Sequence, residues 1–263
     1  MTRQAGKLGR KMGVSEIGSK FKLSDYLVDP FPNVNPDSTF DGTCGATELG
    51  MLGNDQYGCC VWAGYVHTRM LNAWLAKEQP VGNINDTSVW PTEEQVVTSY
   101  FIYEGSPGGQ PDPAYDNGAD IGEALLWFMD NSIGPLGPLG GFAQVNDFGE
   151  MYEGAIQTFG VIYDGILVSQ EMMNEFSAGQ PWSSTATDWI GGHCAPHAYR
   201  SPKVGKAATW AQFEEFTWPN WQVTREEAYV LFTPEQMKAP GGVFNGVQVA
   251  KLEADIKALK GTL

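Results

Sequence analysis

The chain has 263 residues and a net charge of −15, with 42% hydrophobic and 12% aromatic residues, nine tryptophans among them. That length and apolar content support a large buried core without disulfide or metal staples, and exclude a disordered chain. No run is long and apolar enough to span a bilayer, and the acidic excess repels phosphate backbones, so membranes and nucleic acids are set aside as partners.

The charge is unevenly spread. Residues 1–22 hold six basic groups (Arg3, Lys7, Arg10, Lys11, Lys20, Lys22) against Glu16 alone, whereas the other 241 residues hold ten basic and thirty acidic ones. This basic N-terminal arm is expected either to dock on the acidic body or an acidic neighbour, or to remain a solvated tail. No apolar leader segment accompanies its charges, so synthesis in the cytoplasm is the expectation.

Residues 23–45 read as an irregular, Pro-rich lead-in. The first firm element starts near Cys60: Trp62, Val66, Met70 and Trp74 fall at helical spacing, with Leu71 and Leu75 beside them, until Glu78-Gln79-Pro80 ends the run. A second helix is announced by Pro91-Thr92-Glu93-Glu94, a cap with an acidic first turn, followed by Val96, Val97, Tyr100, Phe101 and Tyr103. A long loop over 105–118 precedes a third helix over 119–130, and 134–141 reads as another loop. Asp147 is placed to cap a fourth helix running through Thr158.

The period then changes. Residues 160–169 are β-branched and largely apolar and predict a strand. Further strands are expected over 193–200, 206–210 and 226–232, with a turn over 201–205. Residues 249–260 place Val249, Leu252, Ile256 and Leu259 on one face of a closing helix that must dock on something. Helices early and strands late indicate an α+β fold with an antiparallel sheet.

Three of the four cysteines (Cys44, Cys59, Cys60, Cys194) and all three histidines (His67, His193, His197) fall in two segments, 54–67 and 191–200. Four cysteines are too few for a disulfide scaffold, and Cys59 and Cys60 are adjacent, which strains a bridge between them. One bridge, Cys44 to Cys59, stays open. A metal reading would gather Cys59, Cys60, Cys194, His193 and His197, but adjacent cysteines fit no usual zinc spacing and Pro196 breaks a helical His-x-x-x-His. A nucleophile reading explains more. A cysteine in the first turn of a helix feels the positive end of the dipole, and a histidine beside it would complete a thiolate–imidazolium pair. Asn54, six residues before Cys60, could donate to an oxyanion. The plain alternative makes Cys60 a small buried residue and His193 a hydrogen-bonded core histidine.

The segment Asn54-Asp55-Gln56-Tyr57-Gly58-Cys59-Cys60, with Gly64 and His67 after it, then Gly191-Gly192-His193, Thr209-Trp210-Ala211, Thr217-Trp218 and Glu227-Ala228, runs in an order that resembles papain-like cysteine peptidases. The likeness is to a divergent branch found in actinobacterial phages and prophages. It extends to Gly6-Lys7-Leu8, Asp25-Tyr26-Leu27, Asn146-Asp147, Phe159-Gly160 and Gly179-Gln180-Pro181-Trp182, and so covers nearly the whole chain.

The resemblance implies an α+β papain-like fold, a helical half with the nucleophile helix packed against an antiparallel β half. It also implies Cys60 as nucleophile, His193 as general base, Asn54 as oxyanion donor and a cleft bordered by Gly58, Trp62, Gly192 and Trp210, with no cofactor or metal; His67 would be structural. Three positions depart from the pattern: Cys59 stands where the branch has Asp, Ala208 where the family's third member is Asn, and Ala211 where a Gly normally follows the Trp.

The domains expected are a basic arm over 1–22, a papain-like body over 23–239 and a C-terminal loop and docked helix over 240–263. Function divides in two. A phage-encoded thiol hydrolase would cleave peptide or amide bonds with a Cys–His dyad. The alternative is a catalytically degraded virion protein on the same architecture, meeting other virion proteins through the arm.

Overall fold

A computed structural model describes residues 3–47, 49–75 and 89–262. In chain order the strands and helices are β1 (Phe40–Asp41), α1 (Cys60–Leu75), α2 (Glu93–Tyr103), α3 (Ile121–Asp130), β2 (Gly141–Gln144), α4 (Glu150–Phe159), β3 (Tyr163–Ser169) and α5 (Gln170–Ala178). They continue with β4 (Trp189–Cys194), β5 (His197–Arg200), β6 (Val204–Thr209), β7 (Gln212–Thr217), α6 (Trp218–Thr224), β8 (Arg225–Phe232), α7 (Pro234–Met237) and α8 (Val249–Lys260). The strands form two four-stranded antiparallel sheets, ordered β2-β8-β3-β4 and β1-β5-β6-β7.

Helix α1 is apolar on nearly every side. Cys60 through Thr68, Met70 and Leu71 are all buried, the pattern of a helix enclosed by its neighbours rather than laid on a surface. It packs against α2, against β3 and β4 of one sheet and against β6 of the other, so its N-terminus opens between the helical half and the strands. The predicted end of this helix, at Glu78-Gln79-Pro80, lies outside the described residues. Aromatic edges hold α1 to its helical neighbours: Trp62 meets Tyr100 of α2 at 5.3 Å and Phe128 of α3 at 4.9 Å between ring centroids.

The local signals read from the sequence work at several ends. Thr92 accepts from the Gln95 N–H while Gln95 returns to the Thr92 backbone, a reciprocal cap that starts α2. Asp120 caps α3 through the Glu123 N–H. Val249, Leu252 and Ile256 are buried and seat α8, while Tyr26 donates from its hydroxyl to Asp255 at 3.0 Å.

Other boundaries differ. Asp147 does not cap α4; it accepts the Gly149 N–H at 2.6 Å, and Gly149 itself is the residue before the helix. The strand expected over 193–200 is two strands in two sheets. The chain leaves the first sheet at Cys194 and enters the second at His197, and Pro196 between them has no N–H to give a ladder. Strand β7, helices α5 and α6 and the short β2 were not foreseen. Ser169 starts α5 by accepting the Met172 N–H, and Thr217 starts α6 by accepting from Asn220.

Candidate active site

Cys60 is the first residue of α1. The Cys59 carbonyl takes the N–H groups of Trp62 and Ala63, so the thiol stands at the positive end of the helix. Ahead of it residues 51–57 curl tightly, with the Gln56 and Tyr57 N–H groups both donating to the Gly53 carbonyl. That curl turns the Asn54 side chain inward, where its amide donates to the Tyr57 carbonyl at 3.1 Å and to the Lys7 carbonyl at 3.0 Å. All four cysteines are free thiols, which closes the open question of a Cys44–Cys59 bridge. The Cys59 thiol lies 3.6 Å from the Leu52 carbonyl, and the Cys44 thiol 3.3 Å from the Gly42 carbonyl.

His193 sits on β4 opposite Ile166 of β3. Its Nε2 lies 2.7 Å from the Thr209 hydroxyl, and its Nδ1 is buried without a partner. With Nε2–H given to Thr209, Nδ1 is the basic nitrogen. The Trp210 ring covers the imidazole at 4.7 Å between centroids, and Trp210 and Ala211 both adopt positive φ, +42° and +68°. The position expected to orient the histidine, Ala208, instead packs with Leu49, Leu71 and Ala198 on the other side of β6. The side chain that bonds the imidazole is one residue later, Thr209. The resemblance points to Ala208, two residues before the Trp, but side chains alternate along β6, so Ala208 and Thr209 face opposite sides and only Thr209 meets the imidazole. A hydroxyl-bearing residue directly before the Trp was the signal available.

The N-terminal arm runs through the opening between α1 and β4. The Lys7 N–H donates to the Asn54 carbonyl (2.6 Å), Arg10 N–H to the Gly192 carbonyl (3.1 Å) and Lys11 N–H to the Ala119 carbonyl (2.9 Å), while Gly9 accepts from the Ala119 N–H (2.8 Å). The passage is narrow. A Cβ on Gly9 would lie 1.8 Å from the Gly58 carbonyl oxygen, and one on Gly192 would lie 2.5 Å from the Arg10 carbonyl oxygen. Gly6 crosses the Trp210 ring. Gly58 is further tied down by its N–H to Asp116 at 2.9 Å.

The arm sets the electrostatics. Burial pushes the Cys60 thiol up from its ordinary value; the N–H groups of Cys194, Gly9 and Arg10 and the Arg10 charge pull the other way without cancelling it. Burial pulls His193 down to about 3, helped by the positive charge of Arg10 and by His67. At neutral pH Cys60 is therefore a thiol and His193 a neutral imidazole while the arm is seated.

Trp62, expected along the cleft, is not there. It is fully buried in the aromatic core and donates its indole N–H to the Ser99 hydroxyl at 2.9 Å. His67 bonds the Leu49 carbonyl at 3.0 Å, and burial lowers it to about 4. His197 belongs to a separate buried network, in which the Tyr152 hydroxyl donates to Asp164 at 2.7 Å and sits 2.8 Å from His197 Nδ1. His193 and His197 thus face different partners, and among the described residues no three His, Cys, Asp or Glu side chains gather in a way that could hold a metal.

No protein-family model matches the sequence, and no curated protein matches it. Solved structures do. Xylellain, a cysteine protease from Xylella fastidiosa, superimposes with a TM-score of 0.60 at 11% identity, covering 89% of this chain and 98% of that one. Digestive procathepsin L 3 of the Tenebrio molitor larval midgut gives 0.53 at 12% identity, over 82% and 76%. The fold is α+β and matches that of papain-like cysteine proteases.

Proposed function

We propose that this chain is a papain-like thiol hydrolase that cleaves peptide or amide bonds through an acyl-enzyme on Cys60. His193 removes the thiol proton and later returns one to the leaving amine, Thr209 holds the imidazole, and Asn54 donates to the oxyanion. Trp210 roofs the histidine, and Gly58 and Gly192 form the floor and wall on which an extended peptide lies. A phage-encoded origin is part of the reading and rests on the sequence resemblance alone.

One observation carries it. A peptide carbonyl, that of Lys7, already accepts the Asn54 amide at 3.0 Å, while Gly9 passes against the Gly58 backbone, two residues before Cys60. The site thus holds a peptide backbone between the proposed nucleophile and the proposed oxyanion donor. In this reading the arm closes the cleft until it is displaced.

The rival is a particle-building protein that retains the architecture. The specific observation in its favour is the complete burial of Cys60 and His193 under a segment bonded to both walls. The pH dependence of Cys60 alkylation, followed by mass spectrometry in full-length Gly9→Ala and Gly9→Ala/His193→Ala, separates the two. Rapid labelling well below pH 8.5 that disappears without His193 supports the hydrolase. Slow labelling that ignores His193 leaves the structural protein.

A further inference from the structure

Arg10 is the basic residue of the arm whose side chain is fully buried in the body. Its guanidinium donates to Glu227 (3.0 Å), to the Ile166 carbonyl (3.2 Å), to the carbonyls of Lys11 (3.0 Å) and Gly13 (3.1 Å), and to Glu226. The walls of this slot are Gly165 and Ile166 of β3, Ile121 at the start of α3, and Gly192. Gly165 is needed, because a Cβ there would lie 2.9 Å from the Arg10 side chain. At the base, Glu227 is held rigidly: its second oxygen accepts the Ser15 N–H at 3.0 Å and the Tyr229 hydroxyl at 2.6 Å.

The slot opens directly beside the proposed nucleophile. The backbone of Arg10 is the part of the arm that bridges the cleft, bonded to Gly192 on one wall and, through its neighbours, to Ala119 on the other. A residue of any extended peptide lying in this cleft would present its side chain to the same opening. Such a pocket, ending in a buried carboxylate with a fixed geometry, discriminates strongly. A cationic side chain satisfies the carboxylate, and a neutral or apolar one leaves its charge uncompensated and the oxygen that Arg10 holds without a donor.

We infer that this slot is a substrate side-chain pocket, that Glu227 with Glu226 selects peptides carrying arginine, and that Arg10 is a built-in occupant standing where a substrate arginine goes. The inference rests on the hydrolase reading for its biological use, but the pocket's preference does not depend on chemistry at Cys60. The body's own charge agrees with it: with thirty acidic groups against ten basic ones outside the arm, it attracts cationic peptides.

The test is equilibrium binding of blocked tripeptides with arginine or citrulline at the centre to full-length Cys60→Ala/Gly9→Ala/Arg10→Ala. The Gly9→Ala change wedges the arm against Gly58, and Arg10→Ala empties the slot. Arginine should bind at least tenfold more tightly than citrulline, and adding Glu227→Gln should abolish the difference. Equal affinity, or no binding of either peptide, overturns the inference.

Should the variant fail to fold, refolding of Arg10→Ala with ethylguanidinium is compared with refolding in the isosteric ethylurea. Recovery with ethylguanidinium alone supports the pocket, and equal behaviour of the two overturns it. Since the thiol is absent or unused throughout, an unreactive Cys60 and a wrong pocket give different results.

Discussion

Replacing Gly9 by Ala should uncover Cys60. The added methyl carbon would stand 1.8 Å from the Gly58 carbonyl oxygen, where about 3.2 Å is the least an ordinary contact allows, and that oxygen belongs to backbone fixed by the Asp116 bond. The arm has to lift by more than an ångström. Doing so breaks the bonds that flank the site: Lys7 to Asn54, Arg10 to Gly192, and Ala119 to Gly9. At a net value of about 1 kcal/mol each, the closed arm loses about 3 kcal/mol, and 1.4 kcal/mol is a factor of ten.

When opening is fast and rare, modification of a buried group scales with the open population. Iodoacetamide labelling of Cys60 should therefore accelerate roughly a hundredfold over wild type at fixed pH. Gly137→Ala, where an added Cβ meets nothing within 4 Å, is the control and should leave the rate unchanged. Equal rates for wild type and Gly9→Ala would show that the arm does not guard the thiol.

Thr209→Val in the Gly9→Ala background removes the side-chain partner of His193 Nε2 and should slow Cys60 labelling near pH 7 by about tenfold, while Thr209→Ser restores it; no change would remove Thr209 from the site. His67 is held neutral down to about pH 4, so its folded value lies below its unfolded one; it contributes stability above pH 6.5 that is lost as pH falls toward 4. The urea-unfolding free energy of wild type minus that of His67→Gln should therefore drop by about 2 kcal/mol between pH 7 and pH 5, and a flat difference would refute it. Ala211→Gly relieves a left-handed alanine at φ +68° and should raise thermal stability by about 0.5 kcal/mol or more, where Ala→Gly elsewhere lowers it; a lower melting temperature would mean the turn holds no strain.

What could be read from the sequence was the local chemistry. The start of α1 at Cys60, the Thr92 cap and the apolar face of α8 are all written in residues within a turn or two of each other, and they appear as expected. What failed depended on distant pairing. Pro196 interrupts the ladder locally, but nothing nearby says that the chain changes sheets there, or that Glu214 and Phe216 are the buried residues of β7. The resemblance places Trp62 along the cleft, but helix geometry does not. Two residues along a helix is nearly a half-turn, which points it to the opposite side, into Tyr100 and Phe128. The arm is the clearest case. Its charge contrast with the body allowed docking as one expectation, but its path is set by glycines at 6, 9, 58 and 192 that meet only in three dimensions.

The seated arm controls more than access. Arg10 brings a positive charge beside His193 and buries both members of the pair, so the imidazole is held neutral by burial first and by that charge second. Lifting the arm admits water and withdraws the guanidinium in a single motion. Both changes raise the imidazole toward its ordinary range, and rehydration lowers the thiol. The charge separation that makes a cysteine nucleophilic is thus opposed in the closed form and released in the open one. The two forms should differ in pH profile as well as in rate. Labelling of wild type should rise with pH as an unassisted thiol does, whereas Gly9→Ala should show a plateau beginning well below pH 8.5. If the two profiles keep the same shape and differ only in height, the arm is a cover and has no part in setting the charge of the pair.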